Sequence, residues 1–266
     1  MKILLFLILV YGALVLFMYG AQTFLVFPGT KLPSRPLDQP FVPERLVLQT
    51  ANGDELHGML YKPAGKAADG LLIGFGGNAQ DADELGQDLA ARFKTLQVVV
   101  FHYRGYGPSE GRPSETALLA DAVSIHDELS ERLKPKTVFA YGISLGSGVA
   151  AYLATERPLD GAFLITPYDS IEAIAKASYP WLPVGWLLKH RFPSVDFLVS
   201  SSTPIAIIAA GADEVIKPER TDALRAVIPN LVFDRTIAGA GHVDLYDMPA
   251  FDAALAAAHQ AMKIAP

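Results

Sequence analysis

The sequence predicts an α/β fold. It is built on a mostly parallel central sheet of about eight strands, with helices on both faces and a short insertion instead of a large lid. Three observations lead there. Continuous Val/Ile/Leu runs recur from residue 44 onward, as in GLLIGF (70–75) and PIAIIAA (204–210), and read as strands buried on both faces. Helix-like segments separate them, which is the alternation of a parallel sheet with crossover helices. One junction, TVFAYGISLGSGVAAYL (137–153), runs from an apolar strand straight into an alanine- and glycine-rich helix through a single serine.

In chain order, ERLVLQT (44–50) and ELHGMLY (55–61) flank Asn52-Gly53-Asp54, a hairpin signal. GLLIGF is the first buried strand, and DADELGQDLAARF (81–93) follows as a helix. LQVVVFHY (96–103) is a strand, and PSETALLADAVSIHDELSERL (113–133) a helix. After the serine junction come the strands GAFLIT (161–166), PIAIIAA and LVFDRTI (231–237), and a last helix over roughly 245–262.

The 27 N-terminal residues carry no charge after Lys2, and residues 3–21 are all apolar or glycine. Nineteen such positions about match what the roughly 30 Å of a bilayer core needs in helix. The run is longer than a signal-peptide core and lacks a small-x-small cleavage site near its end. Residues 1–27 are therefore expected to be an uncleaved single-pass anchor. The positive-inside count is close to a tie, and the very short N-terminal tail favours the domain on the extracytoplasmic side. PGTKLPSRPLDQPFVP (28–43) holds five prolines and reads as an extended spacer before a catalytic domain over 44–266.

Composition narrows the function. The chain of 266 residues is 51% hydrophobic with net charge −6, enough for one large domain with a sizeable core. Lys and Arg are scattered, so no basic stripe points to nucleic acid. There is no cysteine, which excludes disulfides, thiolate metal sites and cysteine nucleophiles. Oligomeric state is not legible.

In a parallel sheet the ligand lies beyond the carboxyl ends of the strands, and Ser144 stands at such an end. Gly142-Ile143-Ser144-Leu145-Gly146 between strand and helix is a nucleophile elbow. The serine takes a strained conformation that lifts its hydroxyl above the sheet, and glycines two residues to either side let strand and helix approach. A serine hydroxyl needs a base, and the base needs an orienting acid. Of six histidines, His57, His126, His190 and His259 suit structural roles. His242, in a glycine-flanked loop after the last strand, is the candidate base. Asp213, in the turn after 204–210, is the candidate acid, with Asp169 as rival. The Leu145 amide is one candidate oxyanion donor. The second is the Asn78 amide, in a loop where Gly76-Gly77 lets backbone approach a substrate. His102, Tyr168, Trp181 and Trp186 are further candidates to line the substrate site.

The sequence resembles the α/β-hydrolase superfamily over residues 44–262, with Ser144, Asp213 and His242 in that family's order. FGGNAQD (75–81) is similar to its HGNAGN oxyanion loop, and HYRGYGPSEGRPSE (102–115) to its DYRGYGxSxGxPSE segment. WLPVGWLLKHRFPSV (181–195), GADEVIKPE (211–219) and GHVDLY (241–246) resemble small serine hydrolases with an N-terminal anchor. The resemblance implies an esterase or thioesterase, with relatives among serine peptidases. It implies no cofactor or metal, and a small-molecule or acyl-protein ester as substrate. Two positions depart from the pattern: the loop histidine is Gly76, and the aspartate before YRGYG is His102. The alternatives are a peptidase or amidase on the same residues, an acyltransferase, or a catalytically silent anchored binding module.

Overall fold

In a computed structural model, residues 1–29, 43–63 and 68–265 are described. Most of the expected proline-rich spacer, 30–42, lies outside the described residues. The chain begins with α1 (Lys2–Val26) and the hairpin β1 (Glu44–Gln49) and β2 (Glu55–Tyr61). There follow β3 (Gly70–Phe75), α2 (Ala82–Arg92), β4 (Leu96–Phe101), α3 (Glu115–Leu133), β5 (Val138–Ile143), α4 (Leu145–Glu156) and β6 (Gly161–Ile165). The insertion carries α5 (Ile171–Ser178), α6 (Val184–Leu187) and α7 (Ser194–Leu198). Then come β7 (Ile205–Ala210), α8 (Pro218–Arg225), β8 (Leu231–Ile237) and α9 (Pro249–Ile264).

The eight strands form one sheet in the order β1-β2-β4-β3-β5-β6-β7-β8. β2 pairs antiparallel with both neighbours, and every pairing from β4 to β8 is parallel. Alternate residues of one strand serve opposite cores. Leu71 and Ile73 of β3 pack with residues of α3 and α4, while Leu72 packs with residues of α2 and α9. That double burial is why these strands read as unbroken apolar runs rather than alternating ones.

Local signals fix the element ends. Gly53 turns the hairpin at φ +87°, a region that favours glycine. Asp81 caps α2 by accepting from the amides of Asp83 and Glu84, and Ser114 caps α3 by accepting from Ala117. The final helix starts later than expected. Residues 244–247 form a 3-10 turn, and Pro249 opens α9 at a first-turn position that needs no N–H donor. The short insertion carries three short helices.

α1 contains an apolar 18-residue window with mean hydropathy 2.6 that is not buried within the molecule. Its 25 residues measure about 37 Å in helix, enough to cross a bilayer core of roughly 30 Å.

Candidate active site

The topology alone brings the candidate residues to one edge. β3, β5, β6, β7 and β8 are successive neighbours, so the loops at their carboxyl ends lie side by side. These loops carry Asn78, Ser144, Tyr168, Asp213 and His242 in turn. Phe75 of β3 pairs with Gly142 of β5, which sets the Gly76–Asn78 loop against the serine turn.

Ser144 has φ 49° and ψ −116°, a backbone region that L-residues rarely occupy. Two glycines make the turn possible. A Cβ at Gly142 would collide with the Gly146 carbonyl, and one at Gly146 would collide with the Phe75 and Gly76 carbonyls. Because the obstacles are backbone, no side-chain adjustment relieves them. A Cβ on Gly77 would come within 3.8 Å of the Ser144 Cβ, so that loop also runs close to the serine. Ser144 directly precedes α4, and the first amides of that helix are donors without intrahelical partners, at its positive dipole end.

His242 bridges the other two. Its Nε2 lies 3.0 Å from Ser144 Oγ, and its Nδ1 lies 2.8 Å from Asp213 Oδ2 and 3.0 Å from Oδ1. Asp213 is held in turn, since its Oδ1 accepts from the amides of Val215 at 2.8 Å and Ile216 at 2.7 Å. This is a side-chain turn that a short acid after a strand makes readily. The His242 amide donates to Glu214 Oε2, and the Ala212 amide to the Ala240 carbonyl, tying the two loops together. The rival acid Asp169 is engaged elsewhere, accepting from Arg220 at 2.9 Å and from its neighbour Ser170. Burial raises its pKa, against the pull of those partners.

Ser144, Leu145, Asn78, Tyr168 and His242 all line one cavity of about 650 Å3. The rest of its lining is largely apolar and comes mainly from α1, α5, α6 and their flanking residues, with Val215, Ile216 and Val243. Gly76, Gly77, His102, Trp181 and Trp186 are not among its lining residues. Gly76 and Gly77 are backbone of the loop behind Asn78, and the Gly76 carbonyl accepts from Tyr103 Oη at 2.8 Å. His102 is buried below that loop, with Nε2 3.3 Å from Asp83 Oδ1. Trp186 is 92% exposed and Trp181 47% exposed, on the outside of the insertion. The α1 wall, notably Met18 and Leu25, was not anticipated from sequence. Its one signal is the polar pair Gln22-Thr23 near the end of an otherwise apolar helix. Among the described residues no group of three or more His, Asp or Glu is arranged to hold a metal ion.

This fold, with its strand-end loops, is that of a hydrolase, and the comparisons agree. Residues 71–195 match the alpha/beta hydrolase fold family model. Rv2307c, an uncharacterized protein of Mycobacterium tuberculosis, is 31% identical over 241 residues, covering 89% of this chain and 85% of that protein. The lysophosphatidylserine lipase ABHD12 of Danio rerio is 34% identical over 137 residues, 45% of this chain and 36% of its own. The uncharacterized membrane protein YNL320W of Saccharomyces cerevisiae is 34% identical over 151 residues, 54% of this chain and 53% of its own. Among solved structures, the Pyrococcus furiosus esterase Pf2001 superposes with a TM-score of 0.70 at 16% identity, covering 88% of this chain and 98% of that one. The chain belongs to the alpha/beta hydrolase family.

Proposed function

We propose that this protein is a membrane-tethered serine hydrolase that cleaves carboxylic esters or thioesters through an acyl-enzyme on Ser144. The observation that carries the proposal is His242, whose two ring nitrogens lie 3.0 Å from Ser144 Oγ and 2.8 Å from an Asp213 carboxylate oxygen. With Nδ1–H donated to Asp213, Nε2 is the free base and accepts the Ser144 proton as Oγ attacks the acyl carbon. The negative charge that develops on the acyl oxygen is met by the amides of Leu145 and Asn78. His242 then protonates the departing alcohol or thiol. Water enters, gives its proton to His242, and releases the carboxylic acid and the free Ser144 hydroxyl. No step calls on a cofactor.

The apolar cavity favours an acyl substrate, and the relatives described as a lipase and an esterase are consistent with one. The length and hydropathy of α1, and the likeness to a described membrane protein, support a single-pass anchor. A peptidase on the same residues would need the same proton delivery to a poorer leaving group, and the short insertion offers little to sort peptides. The test is hydrolysis of p-nitrophenyl esters from acetate to palmitate by the full chain and by folded Ser144→Ala. Activity that disappears in the variant is the expected result. Equal rates in both, or no fluorophosphonate labelling of folded wild type, would overturn the proposal in favour of a silent binding module.

A further inference from the structure

We propose that α1 is one wall of the acyl site, and that the cavity it lines takes an ester with a single long acyl chain. This rests on the serine-hydrolase function proposed for Ser144. The cavity lining has a polar and an apolar part. Ser144, His242 and Asn78 supply the polar groups beside the serine, and Ile174, Leu182, Met18 and Leu25 are among the apolar ones. An ester group suits the first and a hydrocarbon chain the second. A volume of about 650 Å3 falls inside the roughly 300–1,000 Å3 of sites for one small ligand, which suits one chain better than two.

α1 is held against the domain by specific polar contacts. Gln22 is buried, and a buried amide on an apolar helix is costly unless its hydrogen bonds are met. Nε2 donates to the Tyr19 carbonyl of its own helix at 2.9 Å, and the remaining bonds are met by the insertion. Nε2 donates to the Leu187 carbonyl at 3.1 Å, and Oε1 accepts from the Lys189 amide at 2.7 Å. The next residue, Thr23, places its hydroxyl 2.9 Å from His190 Nε2, and Phe27 packs edge-on against the rings of His190 and Phe192. The polar pair that ends the apolar run is therefore the lock that seats α1 on the cavity.

The insertion also follows α1 into the apolar layer. Tyr11 Oη donates to the Trp181 carbonyl at 2.9 Å, about 16 Å along the helix axis from Gln22. The exposed Trp181 and Trp186 rings lie on this segment, and Lys189 Nζ sits 3.9 Å over the Tyr19 ring. Lys189, level with Tyr19, marks the water-facing side of this segment, and Trp181, beside Tyr11, lies deeper toward the apolar layer. The α1 side of the cavity thus lies near where long-chain amphiphiles concentrate.

The experiment uses the full chain in detergent micelles. The natural chain has no cysteine, so an introduced thiol is unique. Leu25→Cys samples the cavity wall. Phe24→Cys, 68% exposed and not a lining residue, is the control. Each is treated with an ethyl or a hexadecyl fluorophosphonate, which bonds phosphorus to Ser144 Oγ and releases fluoride, and is then alkylated with N-ethylmaleimide. The expected result is that the hexadecyl chain, compared with ethyl, slows alkylation of Leu25→Cys by roughly tenfold or more, because a covered thiol reacts only through local openings. Phe24→Cys should react alike under both. Equal alkylation of Leu25→Cys with Ser144 labelled overturns the proposal alone. Absence of Ser144 labelling by either probe overturns the serine-hydrolase function, and the proposal with it. Met18→Cys provides the same comparison if Leu25→Cys does not fold.

Discussion

Asp213→Asn separates an orienting acid from a merely nearby one. The substitution is nearly isosteric, and the structure dictates which way the new amide faces. Oδ1 of Asp213 accepts from two backbone amides, Val215 at 2.8 Å and Ile216 at 2.7 Å. Only the carbonyl oxygen of asparagine can take that position, since its NH2 has nothing to accept with. The NH2 then takes the Oδ2 position, 2.8 Å from His242 Nδ1 and nearer to it than Oδ1 at 3.0 Å. Facing a donor, Nδ1 must accept, so the ring proton moves to Nε2. There it meets the Ser144 hydroxyl at 3.0 Å, where a base is needed and a donor is useless. The imidazolium formed during attack also loses its counter-charge. In Ser-His-Asp triads the same change lowers kcat by about 10^4, or about 5 kcal/mol of transition-state stabilisation. A loss of that order in p-nitrophenyl ester hydrolysis, with an unchanged circular dichroism spectrum, is expected here. Asp169→Asn should cost far less. A folded Asp213→Asn enzyme that loses less than about tenfold, roughly 1.4 kcal/mol, would refute the orienting role.

Three further outcomes test the frame around the site. Gly146→Ala puts a methyl against the Phe75 and Gly76 carbonyls, so it should cost about 1–3 kcal/mol in urea unfolding and weaken fluorophosphonate labelling. Unchanged stability would mean that strand and helix are free to part there. Arg104 donates to Asp121 at 2.7 and 2.6 Å and to Asp54 at 3.0 Å, joining the first hairpin to α3. Both Arg104 and Asp121 are buried, so Arg104→Ala strands the carboxylate and should cost about 3–5 kcal/mol in the same assay, whereas a loss below about 1 kcal/mol would mark an ordinary surface pair. His259 stacks edge-on among Phe93, Phe139 and Phe163, and burial, with Lys263 nearby, holds its pKa down at about 4. The unfolded chain titrates near 6.5 and takes up the proton first, so stability should fall as pH drops from about 6.5 to about 4. Urea midpoints at pH 7 and pH 5 should differ less in His259→Gln than in wild type, and an equal difference would remove His259 from the acid response.

Much of the site was legible because its demands are local. The elbow needs glycine at 142 and 146 for reasons of backbone contact within one turn, so the pattern is written in five consecutive residues. Asp213 and His242 could be singled out as candidates because a parallel sheet puts strand-end loops on one edge, a rule that requires only the strands to be recognised. The sequence did not show that Trp181 and Trp186 would point outward while Tyr179, Leu182 and Leu187 of the same segment turn toward the cavity. With helices this short, an apolar residue on either face gives the same pattern. Nor did it show that His102 would be buried away from the cavity, with Nε2 3.3 Å from Asp83 Oδ1.

The sequence by itself determined the fold class, the strand-turn-helix at Ser144, the candidate base and acid, and a helix apolar enough for a bilayer. Each of these follows from periodicity or sterics over a few residues. Only the tertiary structure decided that β4 lies between β2 and β3, that Asp213 rather than Asp169 meets His242, and that α1 lines the cavity. Gln22 bonds to groups 165 and 167 residues away, and no local pattern encodes a contact at that range. What selects it is the cost of an unsatisfied amide on an apolar helix: the Tyr19 carbonyl of the same helix accepts one bond from Nε2, and the folded insertion supplies the second acceptor and the donor to Oε1.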